Sequence, residues 1–148
     1  MSVAVAYLLD TNVVSEAIKP QPADHVVAWL AAQPSASVYL SVLTLGEIEQ
    51  GIVRSPNPRR AERLVRWVED ELQPQFRGRI LPIDAAVMKT WGQITGHALL
   101  RGHSASYADS LLAATAITHG LTLVTRNTRD VEVLPVPTLN PWDGTGAT

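Results

Sequence analysis

The chain has 148 residues, 46% of them hydrophobic, with a net charge of −2, enough for one domain with a core and too short for two. A slightly acidic balance excludes a broad nucleic-acid coat or a basic membrane-surface protein, so a phosphate-bearing substrate has to be held locally. Zero cysteines exclude a disulfide framework, a thiolate nucleophile and sulfur-built metal sites, leaving oxygen and imidazole for any metal.

The first apolar run, Val3 to Leu9, reads as a strand. After it come a short helical segment from Asn12 to Ile18, the breakers Pro20 and Pro22, and an amphipathic stretch from Ala23 to Gln33. Val38 to Val42 is the second strand. Two helices follow, Leu45 to Arg54 and Arg59 to Leu72, separated by "SPNP", whose prolines cannot continue a helix. Ile80 to Ile83 is the third strand, and Ala85 to Leu100 a helix capped by Asp84. The last helix, Tyr107 to His119, stops at Gly120. Leu121 to Thr125 is the fourth strand, and the tail holds a short edge strand near Thr138 and Leu139 before a frayed end. Strands alternating with helices predict βαβ units, hence an α/β fold on a mainly parallel sheet. We expect a single domain over residues 1–140 with a C-terminal tail over 141–148. No apolar run approaches the roughly 18 residues of a membrane span, and the start lacks the marks of a secretory signal. The expected location is the cytoplasm.

In an open parallel sheet, ligands bind outside the carboxyl ends of the strands, so acids at those exits converge in space. Asp10 ends the first strand, Glu47 lies in the first turn after the second, Asp109 opens the last helix, and Asp130 follows the final strand. Each also has a structural reading. Thr44 with Glu47, and Ser106 with Asp109, have the spacing of a capping box. Asp10 is placed to cap the segment after it, and Asp130 reads as a solvated turn residue. What separates the readings is the joint pattern. Clustered carboxylates repel and need protons or a cation, and an oxygen-only set points to Mg²⁺ or Mn²⁺, which bridge to phosphate and can activate water.

The stretches "LLDTNVVSE", "SVLTLGEIEQG" and "YADSLLAATAITHGLTLVTRNTRD" resemble, in order and spacing, the signatures of PIN-domain proteins, especially toxins of the VapC and FitB type. The closing "LNPW" is also FitB-like. The resemblance implies a three-layer α/β/α PIN fold and a Mg²⁺-dependent endoribonuclease (Mn²⁺ as substitute). It further implies inhibition by a cognate antitoxin, with promoter DNA bound only indirectly through that antitoxin. A homodimer is expected, heterotetrameric or larger with antitoxin, its contact formed by the Ala23–Gln33 and Arg59–Leu72 helices.

Carried over residue by residue, the catalytic and metal-binding acids fall on Asp10, Glu47, Asp109 and Asp130. Thr11, Asn12, Thr125, Asn127 and Arg126 take substrate-binding or supporting places. The chain departs from the family twice: Asn127 stands where many PIN domains carry an aspartate, and Val131 where many carry an aromatic. Asn127 brings no charge, so either it or Asp130 fills the fourth position. Arg126 and Arg129 flank the last strand exit as phosphate grips or as solvated charges. Glu16 also matches the toxin subgroup in the resemblance, but reads as a surface residue on a short helix; Trp29, Trp67 and Trp91 read as core or interface anchors, and His97 and His103 as uninvolved in chemistry.

A phosphoaspartate enzyme of the haloacid dehalogenase kind needs a second acid two residues after the first, where this chain has Asn12. A receiver domain needs an early acidic pair that is absent. The alternative from another class is a non-catalytic PIN-like subunit of an antitoxin-containing DNA-binding repressor complex. Retention of mutually repelling acids argues for the nuclease.

Overall fold

The computed structural model describes residues 4–144; Val3, placed in the first strand above, and the last four residues of the tail lie outside that range. Five strands form one sheet in the order β3-β2-β1-β4-β5, and every pairing is parallel. They are β1 (Tyr7–Leu9), β2 (Val38–Ser41), β3 (Ile80–Leu81), β4 (Thr122–Val124) and β5 (Thr138–Leu139). The chain leaves β1 toward β2 and β3, then returns to the other side of β1 for β4 and β5. The strand order therefore reverses between β1 and β4, which is where such sheets open a crevice for ligands.

Neighbouring strand residues point to opposite faces, and the core divides accordingly. Leu9 and Val124 join one cluster with Val13, Val14, Val26, Trp29, Ile48 and Leu72. These come from α1 (Thr11–Glu16), α2 (Asp24–Ala32), α3 (Val42–Arg54) and the extension of α4 (Pro58–Trp67). Leu8 and Leu123 join the other with Leu112 and Ala116 of α7 (Tyr107–His119) and Val131 of α8 (Thr128–Val131). A third cluster seats α6 (Ala85–Leu100) on α7 through Val87, Ile94, Ala98, Ala113 and Ala114. The result is the expected three-layer α/β/α arrangement. Because Ala113, Ala114 and Ala116 are wholly buried, α7 lies close on the sheet and its N-terminus is held firmly. Truncating a fully buried leucine such as Leu8 to alanine costs about 2–5 kcal/mol.

Local chemistry sets most helix ends. Asp84 accepts the Val87 amide at 3.1 Å, and Gly120 closes α7 at φ +68°, a left-handed conformation glycine adopts freely. Pro58 opens α4 at a position whose amide needs no partner, and Asn57 caps it. The helix expected to stop at Leu72 continues through a π turn (Val68–Leu72) into α5 (Gln73–Gln75). Pro74 explains the widening. Its ring clashes with the carbonyl four residues back in a regular helix, and the π turn relieves this by sending the Gln73 amide to the Val68 carbonyl.

Other expectations need correction. Strands are shorter than the apolar runs, because pairing ends where a neighbour ends: β1 begins at Tyr7 and β4 at Thr122. Helix α3 begins at Val42 rather than Leu45, because the Ser41 hydroxyl accepts the Leu43 amide and starts the helix earlier. Residues 128–131, read as a turn, form the short α8. Within the tail, Pro141 is buried and Trp142 packs against the larger cluster. No helix among the described residues is long and apolar enough to cross a membrane.

Candidate active site

Asp10 is the residue at which β1 becomes α1, beside the reversal of strand order. Its amide donates to the Val124 carbonyl at 2.9 Å, continuing the ladder to β4. It occupies the N-cap position of α1, yet its side chain makes no capping bond. The carboxylate turns instead to β4's exit, where the Thr125 hydroxyl donates to its Oδ2 at 2.8 Å. Thr125 Oγ1 also accepts the Asn127 amide at 3.1 Å, which leaves its proton for Asp10. Asp10 is only 8% exposed and Thr125 2%. Burial pushes the Asp10 carboxyl above the ordinary aspartate range; the Thr125 hydroxyl and Thr11 amide pull it back, and the charges of Asp109 and Glu47 add to the rise.

Glu47 lies in the second turn of α3, so the capping box expected of Thr44 and Glu47 does not form; Ser41 caps the helix. Thr44 is wholly buried, and its hydroxyl meets Thr11 Oγ1 at 3.1 Å. Thr11 Oγ1 donates to Glu47 Oε1 at 2.7 Å. An ionised carboxylate only accepts, so Thr11 spends its proton on Glu47 and receives that of Thr44. Asp109 keeps the capping role as well. Its amide donates to Ser106 Oγ at 3.1 Å and its Oδ2 accepts from the same hydroxyl at 2.9 Å. Each of the three acids thus has one oxygen fixed by a hydroxyl: Thr125 for Asp10, Thr11 for Glu47, Ser106 for Asp109.

Asp130 sits exposed on α8 and is not among the charges that act on Asp10. Asn127 holds the N-cap position of α8 without a side-chain capping bond. Among the described residues, no three acidic or histidine side chains stand close enough to ligate one ion directly.

The PIN domain family profile matches residues 7–133. The chain belongs to the PIN-domain family. It is 41% identical over 135 residues to toxin FitB of Neisseria gonorrhoeae, covering 91% of this chain and 97% of that protein. It is 35% identical over 136 residues to a VapC ribonuclease of Sinorhizobium fredii, covering 92% and 97%. A solved structure of FitAB bound to a DNA fragment superposes with a TM-score of 0.87 at 40% identity, covering 92% of this chain and 95% of that one. This PIN domain is of the FitB and VapC toxin type.

Within the PIN domain, several positions depart from or extend the sequence reading. Glu16 is not a surface residue: it is 5% exposed, pairs with Lys19 at 2.9 Å and accepts the Ala23 amide at 2.9 Å. The Lys19 contact and the Ala23 amide hold its carboxyl below the ordinary glutamate range. Its work is to close the loop between α1 and α2. Asn12 Oδ1 accepts the Arg126 amide at 3.5 Å, a long bond that ties the start of α1 to β4's exit. The sequence reading assigned Thr44 and Ser106 only helix capping. For Ser106 the signal was present, since a hydroxyl three residues before an acid lies within reach of its carboxylate as well as its amide; Thr44 bonds Thr11 instead, a contact no local spacing announces.

Proposed function

We propose that this PIN domain is a Mg²⁺-dependent endoribonuclease toxin that cleaves RNA phosphodiester bonds by attack of water. The observation that carries the reading is the buried Asp10 at the β1/β4 reversal, with Asp109 and Glu47 close enough to raise its proton affinity. A folded protein keeps repelling carboxylates together at a cost to stability, which suits a site that awaits a cation. The residues fit a hard divalent ion: the donors are carboxylates, one oxygen of each is immobilised, and acceptor capacity remains. Direct ligation of one ion by three acids is not the geometry present, so the proposed ion would be held by fewer of them directly and by the rest through water. When bound, the ion supplies positive charge to the phosphate and favours ionisation of water.

The chain's own residues do the rest. Thr125 fixes the orientation of Asp10, the acid that would hold the ion and orient the attacking water. Glu47 is set by the Thr44–Thr11 relay and Asp109 by the first turn of α7, so the three acids need little rearrangement. Asp130 and Asn127 lie further out as contacts to solvent or RNA, and Thr11 and Asn12 support Asp10's neighbourhood.

The relatives solved as FitAB and VapBC complexes, some bound to DNA, support a cognate antitoxin as partner, with promoter DNA reached through it; a second copy of this chain is proposed as a further partner. Exposed Val27 on α2 and Val65 on α4 support those helices as the contact. Residues 1–140 are the proposed PIN unit, working in the cytoplasm. The test is to incubate the purified, antitoxin-free protein with total RNA, with and without Mg²⁺, and to map new 5′ ends. Discrete Mg²⁺-dependent ends are expected; intact RNA under all conditions favours a non-catalytic partner subunit.

A further inference from the structure

Arg126 directly follows the threonine that holds Asp10, and its side chain is exposed. An exposed arginine is normally free to sample many rotamers. Here three residues remote in sequence converge on it. Asn12 takes its amide, and Asn140 Nδ2 donates to its carbonyl at 3.3 Å. Its guanidinium carbon stands 5.1 Å from the centroid of the Trp142 ring, within cation–π range. Trp142 is itself anchored, since its amide donates to Asn140 Oδ1 at 2.9 Å and its indole packs on the larger core cluster. One asparagine side chain therefore ties the backbones of both Arg126 and Trp142.

A cation–π contact uses the ring's π face and does not consume the guanidinium N–H donors, which remain able to match phosphate oxygens in a two-pronged geometry. Among the described residues, the ion pair at contact distance is Lys19–Glu16; Glu16 attracts Arg126 only from further away. The arginine thus keeps its charge for a ligand. Its backbone directly follows Thr125, which holds Asp10, so a cation fixed at this strand exit has a task toward a phosphate-bearing strand.

We propose that Trp142 is a positioning residue: its indole holds the Arg126 guanidinium at the exit of β4, one residue beyond the threonine that grips Asp10, to receive an RNA phosphodiester neighbouring the one that is cut. This rests on the ribonuclease reading above. Trp142 touches no RNA in this role; it acts through Arg126.

The experiment is a double-mutant cycle on the full chain, reading kcat, KM and the salt dependence of KM on a fluorescent RNA oligonucleotide that contains a mapped cleavage site. Arg126→Ala should raise KM about tenfold, the size of a lost charged hydrogen bond, with little change in kcat. It should also flatten the slope of log KM against log salt by about 0.7. Trp142→Leu, which keeps an apolar side chain but removes the π face, should raise KM roughly threefold, and Trp142→Phe should restore most of the loss. In the Arg126→Ala background, Trp142→Leu should do nothing further. Thermal melts of every variant separate these effects from loss of folded protein, which lowers apparent kcat and leaves KM alone. If the two KM effects multiply, or if Trp142→Leu leaves KM unchanged, Trp142 does not act through Arg126. A wild-type protein that cuts no RNA overturns the ribonuclease reading and this inference with it; one that cuts, with multiplying effects, overturns this inference alone.

Discussion

Thr125 and Asp10 stand 115 residues apart in sequence and 2.8 Å apart in space, the hydroxyl of one donating to the carboxylate of the other inside the protein. This bond joins the two strand exits between which the sheet reverses. It favours the ionised form of a carboxyl that burial disfavours. Thr125→Val keeps the shape and removes the donor, so Asp10 should bind its proton more tightly. The acid limb of the pH–rate profile for RNA cleavage should move to higher pH, and the neutral rate should fall about tenfold, the scale of a charged hydrogen bond. An unshifted acid limb means that Asp10 ionisation does not govern activity.

Asp10 should also destabilise the folded protein at neutral pH. Its folded carboxyl binds a proton more readily than the unfolded one. Its contribution is therefore favourable at pH below the ordinary aspartate range and is lost as pH rises through the raised folded value. Asp10→Asn, freed of buried charge, should melt at a higher temperature than wild type in chelator at pH 7, and the difference should shrink as pH falls. Mg²⁺ should raise the melting temperature of wild type more than that of the variant. A lower melting temperature for Asp10→Asn in chelator contradicts the burial argument.

Ser106 does two things with one hydroxyl, starting α7 and gripping Asp109. Ser106→Ala should lower stability by about 1 kcal/mol, the usual loss of an N-cap, and should lower cleavage beyond that loss by loosening Asp109. Ser106→Thr keeps the hydroxyl and should keep both. Denaturant melts and cleavage rates on the same samples decide it. Full activity in a destabilised Ser106→Ala protein assigns Ser106 to the cap alone.

The sequence announced the fold where local chemistry decides it. Helices α6 and α7 have the expected bounds because Asp84, Ser106 and Gly120 act within one turn of themselves. It misled at α3, where Thr44 and Glu47 mimic a capping box but are recruited instead by Thr11, 33 and 36 residues earlier. Glu16 was misread for a similar reason: the loop carrying Pro20 and Pro22 folds back and brings the Ala23 amide to its carboxylate. At the site, the acids near Asp10 were legible as strand-exit positions and Ser106 as the local partner of Asp109, whereas the Thr125 and Thr11 hydroxyls on Asp10 and Glu47 and the Trp142–Arg126 contact arise from packing between segments distant in sequence.

Asp130 should be the most dispensable of the four acids. It lies exposed on α8 and does not act on Asp10, so it reaches an ion only through water. Asp130→Asn should retain more activity than Asp109→Asn and should show a raised Mg²⁺ requirement as its main defect. The check is cleavage rate against Mg²⁺ concentration, with folding confirmed by circular dichroism. Loss as complete as for Asp109→Asn at saturating Mg²⁺ makes Asp130 a full member of the site.

The central claim is that the acids around Asp10 cleave RNA with a divalent ion, and the direct measurement is RNA cleavage by wild type and Asp10→Asn, each with Mg²⁺ and with excess EDTA. Wild type should cut with Mg²⁺ and stop in EDTA, and Asp10→Asn should be at least 100-fold slower with Mg²⁺, a barrier increase on the order of 3 kcal/mol. Undiminished cutting by wild type in EDTA, or near-normal cutting by a folded Asp10→Asn protein, is incompatible with this account.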